Sequence, residues 1–185
     1  MTNPLKNTSA KSLWHYNTAL LRQAARMVER LLIEARAGFV YAQAVGPHVR
    51  HIIEHYQALL GALSQGEGCV DYDARLRDLR VQTDPTMTLA ALQQLTSAFA
   101  TLAEDPTLNL NTALTTRLQA GAHGELELQV NTTLGRELLF LSSHTVHHYA
   151  LLGQYCRAAG VEMGHDFGKA PATIAFEQAH VAIGA

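Results

Sequence analysis

The stretch Ser142-Ser143-His144-Thr145-Val146-His147-His148-Tyr149 decides how this chain is read. It lies inside an apolar-periodic segment from about Leu134 to Ala159, with Thr133 at the N-cap position and Gly160 at the stop. Side chains four apart on a helix share a face, with Cβ atoms about 5–6 Å apart. Taking ~100° per residue, His148 sits about 40° from His144, while His147 is turned about 60° the other way. His144 and His148 can therefore share one divalent ion at roughly 2.0–2.1 Å each.

Three further segments carry helical spacing. The first spans about Leu13 to Ala37, with Leu20, Leu21, Ala24, Met27, Val28, Leu31 and Leu32 as its stripe and Gly38 as its stop. The second starts at Gly46-Pro47, where proline suits a first helical turn, and runs to about Leu63. The third covers about Thr88 to Ala103 and is closed by Glu104-Asp105-Pro106. Between the third and fourth, Leu114 to Leu118 and Leu126 to Val130 read as two short strands around Gly121-Ala122-His123-Gly124. The expectation is an all-α four-helix bundle with a small β-hairpin or irregular insertion between helices three and four. Residues 1–185 are read as one domain with its core at about 13–172. Asp71 to Asp78, dense in alternating charge, reads as a solvated connector, and Gly164 to Pro171 as a loop.

Composition narrows the function. Apolar residues are 48% of the chain and charged residues 16%, the balance of a globular protein. Fourteen basic and sixteen acidic residues give a net charge of −2, with no Lys/Arg stripe, so nucleic acid is not an expected ligand. No run approaches the ~18 apolar residues of a membrane span, and no apolar signal core opens the chain, so a cytoplasmic location is expected. Cys69 and Cys156 fit no metal or redox spacing and read as ordinary thiols.

Histidine is the unusual residue. The second helix carries His48, His51 and His55, which fall within about 60° of one another. One ligand from that helix joined to His144 and His148 makes three imidazoles, and three protein ligands leave open positions as catalytic metal sites do. Spacing alone does not choose among His48, His51 and His55. Of the nearby carboxylates, Glu54 and Glu137 are candidate bases, and Arg50 and Arg136 candidate anion binders.

The segment Val45-Gly46-Pro47-His48-Val49-Arg50-His51-Ile52, and Arg136-Glu137-Leu138 followed by Ser143 to Tyr149, resemble two signatures of the DinB-like (DinB/YfiT) superfamily of metalloenzymes. Asp71 to Arg77 and Asp166 to Pro171 are similar to segments of one bacterial branch of it. The resemblance covers most of residues 13–172. It implies a four-helix bundle with a divalent metal (zinc, nickel or iron) on His51, His144 and His148. His48, His55, His147, Glu137 and Tyr149 then fall in a second shell or pocket. The resemblance also implies a small-molecule substrate, with a low-molecular-weight thiol among the options, and a homodimer. The expected activity is thiol-dependent S-transfer; the alternatives are a metal-dependent hydrolase or a non-catalytic metal-binding, stress-response protein.

Overall fold

A computed structural model describes residues 4–64, 66 and 68–183. The described chain is mainly helical with one small sheet. Its elements are α1 (Pro4–Glu34), α2 (Tyr41–Ala44), α3 (Gly46–Ser64), β1 (Cys69–Asp71), α4 (Leu79–Thr83), α5 (Pro85–Leu102), β2 (Ala113–Ala120), β3 (Leu126–Thr133), α6 (Leu134–Ala158) and α7 (Pro171–Ile183).

The helix ends follow from their residues. Asp84 accepts the backbone N–H of Thr86 at 2.8 Å and caps α5, with Pro85 in the first turn. Thr133 caps α6 by accepting the Arg136 N–H at 3.3 Å, and Gly160 ends it at a φ of 83°. Gly46 opens α3 where only a hydrogen fits: an added Cβ would lie 1.9 Å from the Gln82 carbonyl oxygen. The chain approach at that point fixes where α3, and with it His48 and His51, begins.

The long helices α1 and α3 each pack on α5 and α6. Trp14, Leu21 and Met27 from α1 meet Ile52, Tyr56 and Leu59 from α3, Leu92 and Phe99 from α5, and Leu134, Leu138 and Leu152 from α6 in one core. Each such fully buried apolar side chain stabilises by about 1.5–3 kcal/mol. A polar network crosses this core. Asn17 donates to the Leu138 carbonyl at 3.1 Å and accepts the Tyr56 hydroxyl at 2.9 Å, and Thr145 Oγ1 lies 3.3 Å from that hydroxyl. Tyr56 and Thr145 are the chain neighbours of His55 and His144, so this network sets the register of the two histidine-bearing helices.

Several expectations are corrected. The first helix begins at Pro4, before Leu13, and Leu32 is exposed on its last turn. The strands are longer than expected, at eight residues each, and a third, β1, pairs in parallel with β2 to give the order β1-β2-β3. Its Val70 is fully buried, a sequestration that the charged run beginning at Asp71 disguises. A further helix, α7, opens at Pro171, the last residue of the expected loop. Cys156 lies buried in the core, and burial pushes its thiol up to about 11; Cys69 is half-buried on β1, and neither forms a disulfide. Among the described residues, no helix is long and apolar enough to cross a membrane.

Candidate metal centre

Helices α3 and α6 bring five imidazoles together. Nε2 of His51 lies 3.2 Å from Nε2 of His144, and Nε2 of His148 lies 3.1 Å from the same atom. His48 and His148 meet through their Nδ1 atoms at 3.2 Å. His55 closes the group from the other side, its ring 4.2 Å from that of His144 and 4.3 Å from that of His51, centroid to centroid. His51, His55 and His144 each offer a ring nitrogen within 4.8 Å of the others.

Two overlapping triads therefore share His51 and His144, with the third place contested by His148 and His55. Two nitrogens bound tetrahedrally to one ion at roughly 2.0–2.1 Å stand ~3.3 Å apart. The His51–His144 and His144–His148 separations match that edge. His55 has a different merit. Its Nδ1 donates to the His51 carbonyl at 2.8 Å, which leaves Nε2 with the lone pair and orients the ring as second-shell bonds orient metal ligands.

The donor set is unsatisfied as neutral imidazole. A neutral ring nitrogen either donates one hydrogen or accepts on one in-plane lone pair. His144 Nε2 faces two nitrogens at hydrogen-bond distance and cannot satisfy both along one lone pair. His144 Nδ1 is buried with no partner, and an ion at Nε2 would leave it so. With the His51 hydrogen on Nδ1, the ring nitrogens of His51, His55 and His144, which lie within 4.8 Å of one another, can converge on a shared cation. The residues present thus fit a divalent ion, and by ligand type several first-row metals qualify.

Electrostatics keep these rings neutral. Burial lowers His51 and His144 to about 3, and adjacent imidazoles and the Arg75 guanidinium add to the effect. Burial lowers His148 to about 4, with neighbouring imidazoles again contributing. His55 and His48 are also lowered by burial. Neutral imidazole is the form a metal requires.

The remaining expected residues are placed as follows. His147 is exposed, its ring 6.0 Å from that of His148 at the rim. Tyr149 does not join the cluster: it is buried, donates its hydroxyl to the Leu20 carbonyl of α1 and stacks on Phe167 at 4.9 Å. Glu137 is fully buried and accepts from Tyr72 at 2.7 Å, Thr132 at 2.6 Å and Arg136 at 3.0 Å. Glu54 is buried and paired with Arg50 at 3.1 Å. Both candidate bases and both candidate anion binders are thus already engaged with each other.

The connector from Asp71 to Asp78 supplies what the sequence reading missed. Tyr72 is buried and stacks on His55 at 5.3 Å, while Phe140 stacks on His144 at 5.5 Å. Arg75 donates through NH1 to Nδ1 of His51 and lies 3.5 Å from Nδ1 of His55. The available signal was an aromatic residue between two acids, Asp71-Tyr72-Asp73, which a purely solvated segment does not need. A second group, His165, Asp166 and Glu177, is formed around Lys169, whose Nζ is 3.0 Å from His165 and 2.6 Å from Glu177. The ammonium already holds that centre.

No family model matches the chain, and no solved structure does. The chain is similar to FK506-binding protein 5 of Rhizopus delemar, at 30% identity over 105 residues, 57% of this chain and 26% of that protein. The match thus spans about a quarter of that relative's length.

Proposed function

We propose that the chain is a DinB-like four-helix bundle and a metal-dependent enzyme. It holds one divalent ion on His51, His144 and His148, with His55 in reserve as a fourth ligand. The observation that carries this reading is the convergence of two Nε2 atoms, at 3.2 and 3.1 Å, on the Nε2 of His144. The packing of α1 and α3 each on α5 and α6 supports the bundle.

Of the two reactions such a centre serves, thiol-dependent transfer is favoured over hydrolysis. A divalent ion lowers the pKa of bound water as it does that of a bound thiol, so hydrolysis is set back only in lacking a free carboxylate to relay protons. The carboxylates near the histidines are engaged, Glu54 by Arg50 and Glu137 by three donors. A bound divalent ion lowers the pKa of a coordinated thiol and so supplies a thiolate at neutral pH without a separate base. The chain's own residues do the rest. Tyr72 and Phe140 wall the site against water on the side of His55 and His144. His48 orients His148 through the Nδ1 contact, and the Asn17–Tyr56 bond holds α3 against the inner helix face.

The test is metal content by mass spectrometry on untagged protein, with the variant His51→Ala/His144→Ala/His148→Ala beside it. About one equivalent in the wild type and none in the variant is expected. An absence of metal in the wild type after incubation with zinc, nickel, manganese and iron would end the metalloenzyme reading. Consumption of a low-molecular-weight thiol with an electrophile, present in the loaded wild type and absent after chelation, would separate transfer from hydrolysis.

A further inference from the structure

The geometry points to an oxyanion-binding subsite at Arg75, and hence to a substrate that carries a carboxylate or phosphate group beside its reacting centre. The inference rests on the reading above in taking the histidine cluster as the place where substrate binds; ligation at His51 adds to it by freeing Arg75 but is not required for an anion to reach the guanidinium.

Arg75 is set apart by its surroundings. Arg30 and Arg50, the other arginines withdrawn from solvent, each face a carboxylate, Glu34 at 2.6 Å and Glu54 at 3.1 Å. Arg75 is half-buried and has no carboxylate partner among the described residues; its contacts are the imidazoles of His51 and His55. Its Nε is buried without any partner, as is that of Arg50, but Arg50 has the Glu54 carboxylate to compensate its charge and Arg75 has none. A guanidinium withdrawn from water with its charge uncompensated is costly, and the usual remedy is an anion that accepts from two of its N–H groups at once.

The nearby acids do not fill that role. Arg75 borders a cavity of about 260 Å³ that Glu54 and Asp71 also line. Glu54 is taken by Arg50, and Asp71 Oδ1 accepts the N–H groups of Asp73 and Ala74, each at 2.9 Å. Asp73 accepts the Gln119 N–H of β2 at 2.7 Å. These bonds pin the turn that carries Arg75 to the sheet, so the guanidinium is presented by a held backbone and not by a loose loop.

The contact with His51 also shows why Arg75 is available. A guanidinium only donates, so His51 Nδ1 accepts and Nε2 carries the hydrogen in that arrangement. A ring that ligates through Nε2 needs its hydrogen on Nδ1, where it would oppose the Arg75 N–H. Ligation at His51 and the Arg75 contact therefore exclude each other, and ligation releases the guanidinium beside the cavity that it borders. Arg75 is a substrate-positioning residue on this account.

The test is isothermal titration of inorganic phosphate and, separately, of malonate into chelator-treated and zinc-incubated protein. Wild type, Arg75→Gln, Arg75→Lys and the control Arg157→Gln, an exposed arginine, are compared. Saturable binding in the wild type is expected, weakened at least tenfold in Arg75→Gln, partly kept in Arg75→Lys and unchanged in Arg157→Gln. The anion bound more tightly identifies the substrate group as phosphate or carboxylate. Equal affinity in wild type and Arg75→Gln, or no saturable binding of either anion, overturns the proposal. Arg75-dependent binding in protein that takes up no metal would leave this inference standing while the metal reading falls. Metal uptake with Arg75-independent binding would do the reverse. Should Arg75→Gln not fold, histidine ring NMR decides: anion must shift the His51 and His55 resonances of the wild type, and unmoved resonances refute the subsite.

Discussion

Tyr72 donates its hydroxyl to the Glu137 carboxylate at 2.7 Å, joining residues 65 positions apart and tying the β1 connector to the helix that carries His144 and His148. Glu137 is fully buried, so each donor to it counts. Replacing Tyr72 by Phe keeps the ring stacked on His55 but removes one donor from a buried carboxylate. The expected cost is about 1–3 kcal/mol in urea unfolding. Metal stoichiometry should not change. An unchanged unfolding midpoint would mean that Thr132 and Arg136 suffice for Glu137.

Asn17 is the next test. Its amide donates to the carbonyls of Leu13 at 3.0 Å and Leu138 at 3.1 Å, and its oxygen accepts from Tyr56. Asn17→Ala removes the acceptor of the buried Tyr56 hydroxyl and the donor that joins α1 to the Leu138 carbonyl, and opens a small void. A loss of about 2–4 kcal/mol is expected. Because the network fixes the register of α3 against α6, metal affinity should fall as well, measured by competition with a chromophoric chelator. A stability loss without any loss of affinity would show that the register is held elsewhere.

The pH dependence follows from burial of neutral histidines. His51 and His144 are lowered to about 3 and His148 to about 4, against the ordinary value near 6.5. The unfolded chain takes up protons as pH drops through about 6.5, while the folded chain resists until about 4 to 3. Metal-free protein should therefore hold its stability above about pH 6.5 and lose it progressively as pH falls toward 4. Melting temperatures in chelator across pH 8 to 4 would show this slope. The triple alanine variant at His51, His144 and His148 should show a shallower one, and an identical slope would place the titrating groups elsewhere.

Gly46 offers a purely steric test of how α3 is placed. A methyl group there would meet the backbone carbonyl oxygen of Gln82 at 1.9 Å, with no flexible side chain to yield. Gly46→Ala should cost about 3 kcal/mol and shift the first turn of α3, which carries His48. A circular dichroism melt unchanged from wild type would mean that the Gln82 turn moves freely.

Legibility in the sequence divided along physical lines. Helices with strong 3.6-residue stripes were readable, because burial of Leu138, Leu141 and Leu152 or of Ile52, Tyr56 and Leu59 leaves a periodic trace. The i,i+4 pair His144/His148 was readable for the same reason. Which helix faces which is a tertiary fact, and so was the meeting of His51 Nε2 with His144 Nε2. β1 was missed because three residues, only one of them buried, leave no period to detect. Tyr72 and Arg75 were missed because their roles depend on contacts with α3 and α6 and not on their neighbours in sequence. Arg50 and Arg136 looked available for an anion, and only the structure reveals that Glu54 and Glu137 occupy them.

The third metal ligand can be settled by comparing two single variants. His51 and His144 belong to both possible triads, so alanine at either should abolish high-affinity metal binding. His148→Ala and His55→Ala divide the alternatives. If His148 ligates, its loss removes one of three nitrogens and should weaken affinity by far more than the 10- to 100-fold typical of a lost outer-shell partner. His55→Ala should then fall within that outer-shell range, because the ring packs on His51 and His144 and holds their orientation. Metal at a hundred times its dissociation constant stabilises the fold by about 2.7 kcal/mol, so the same ranking should appear in the rise of the melting temperature on metal addition. The opposite ranking, with His55→Ala the more damaging, would move the ion inward toward Tyr72 and make His148 the orienting neighbour.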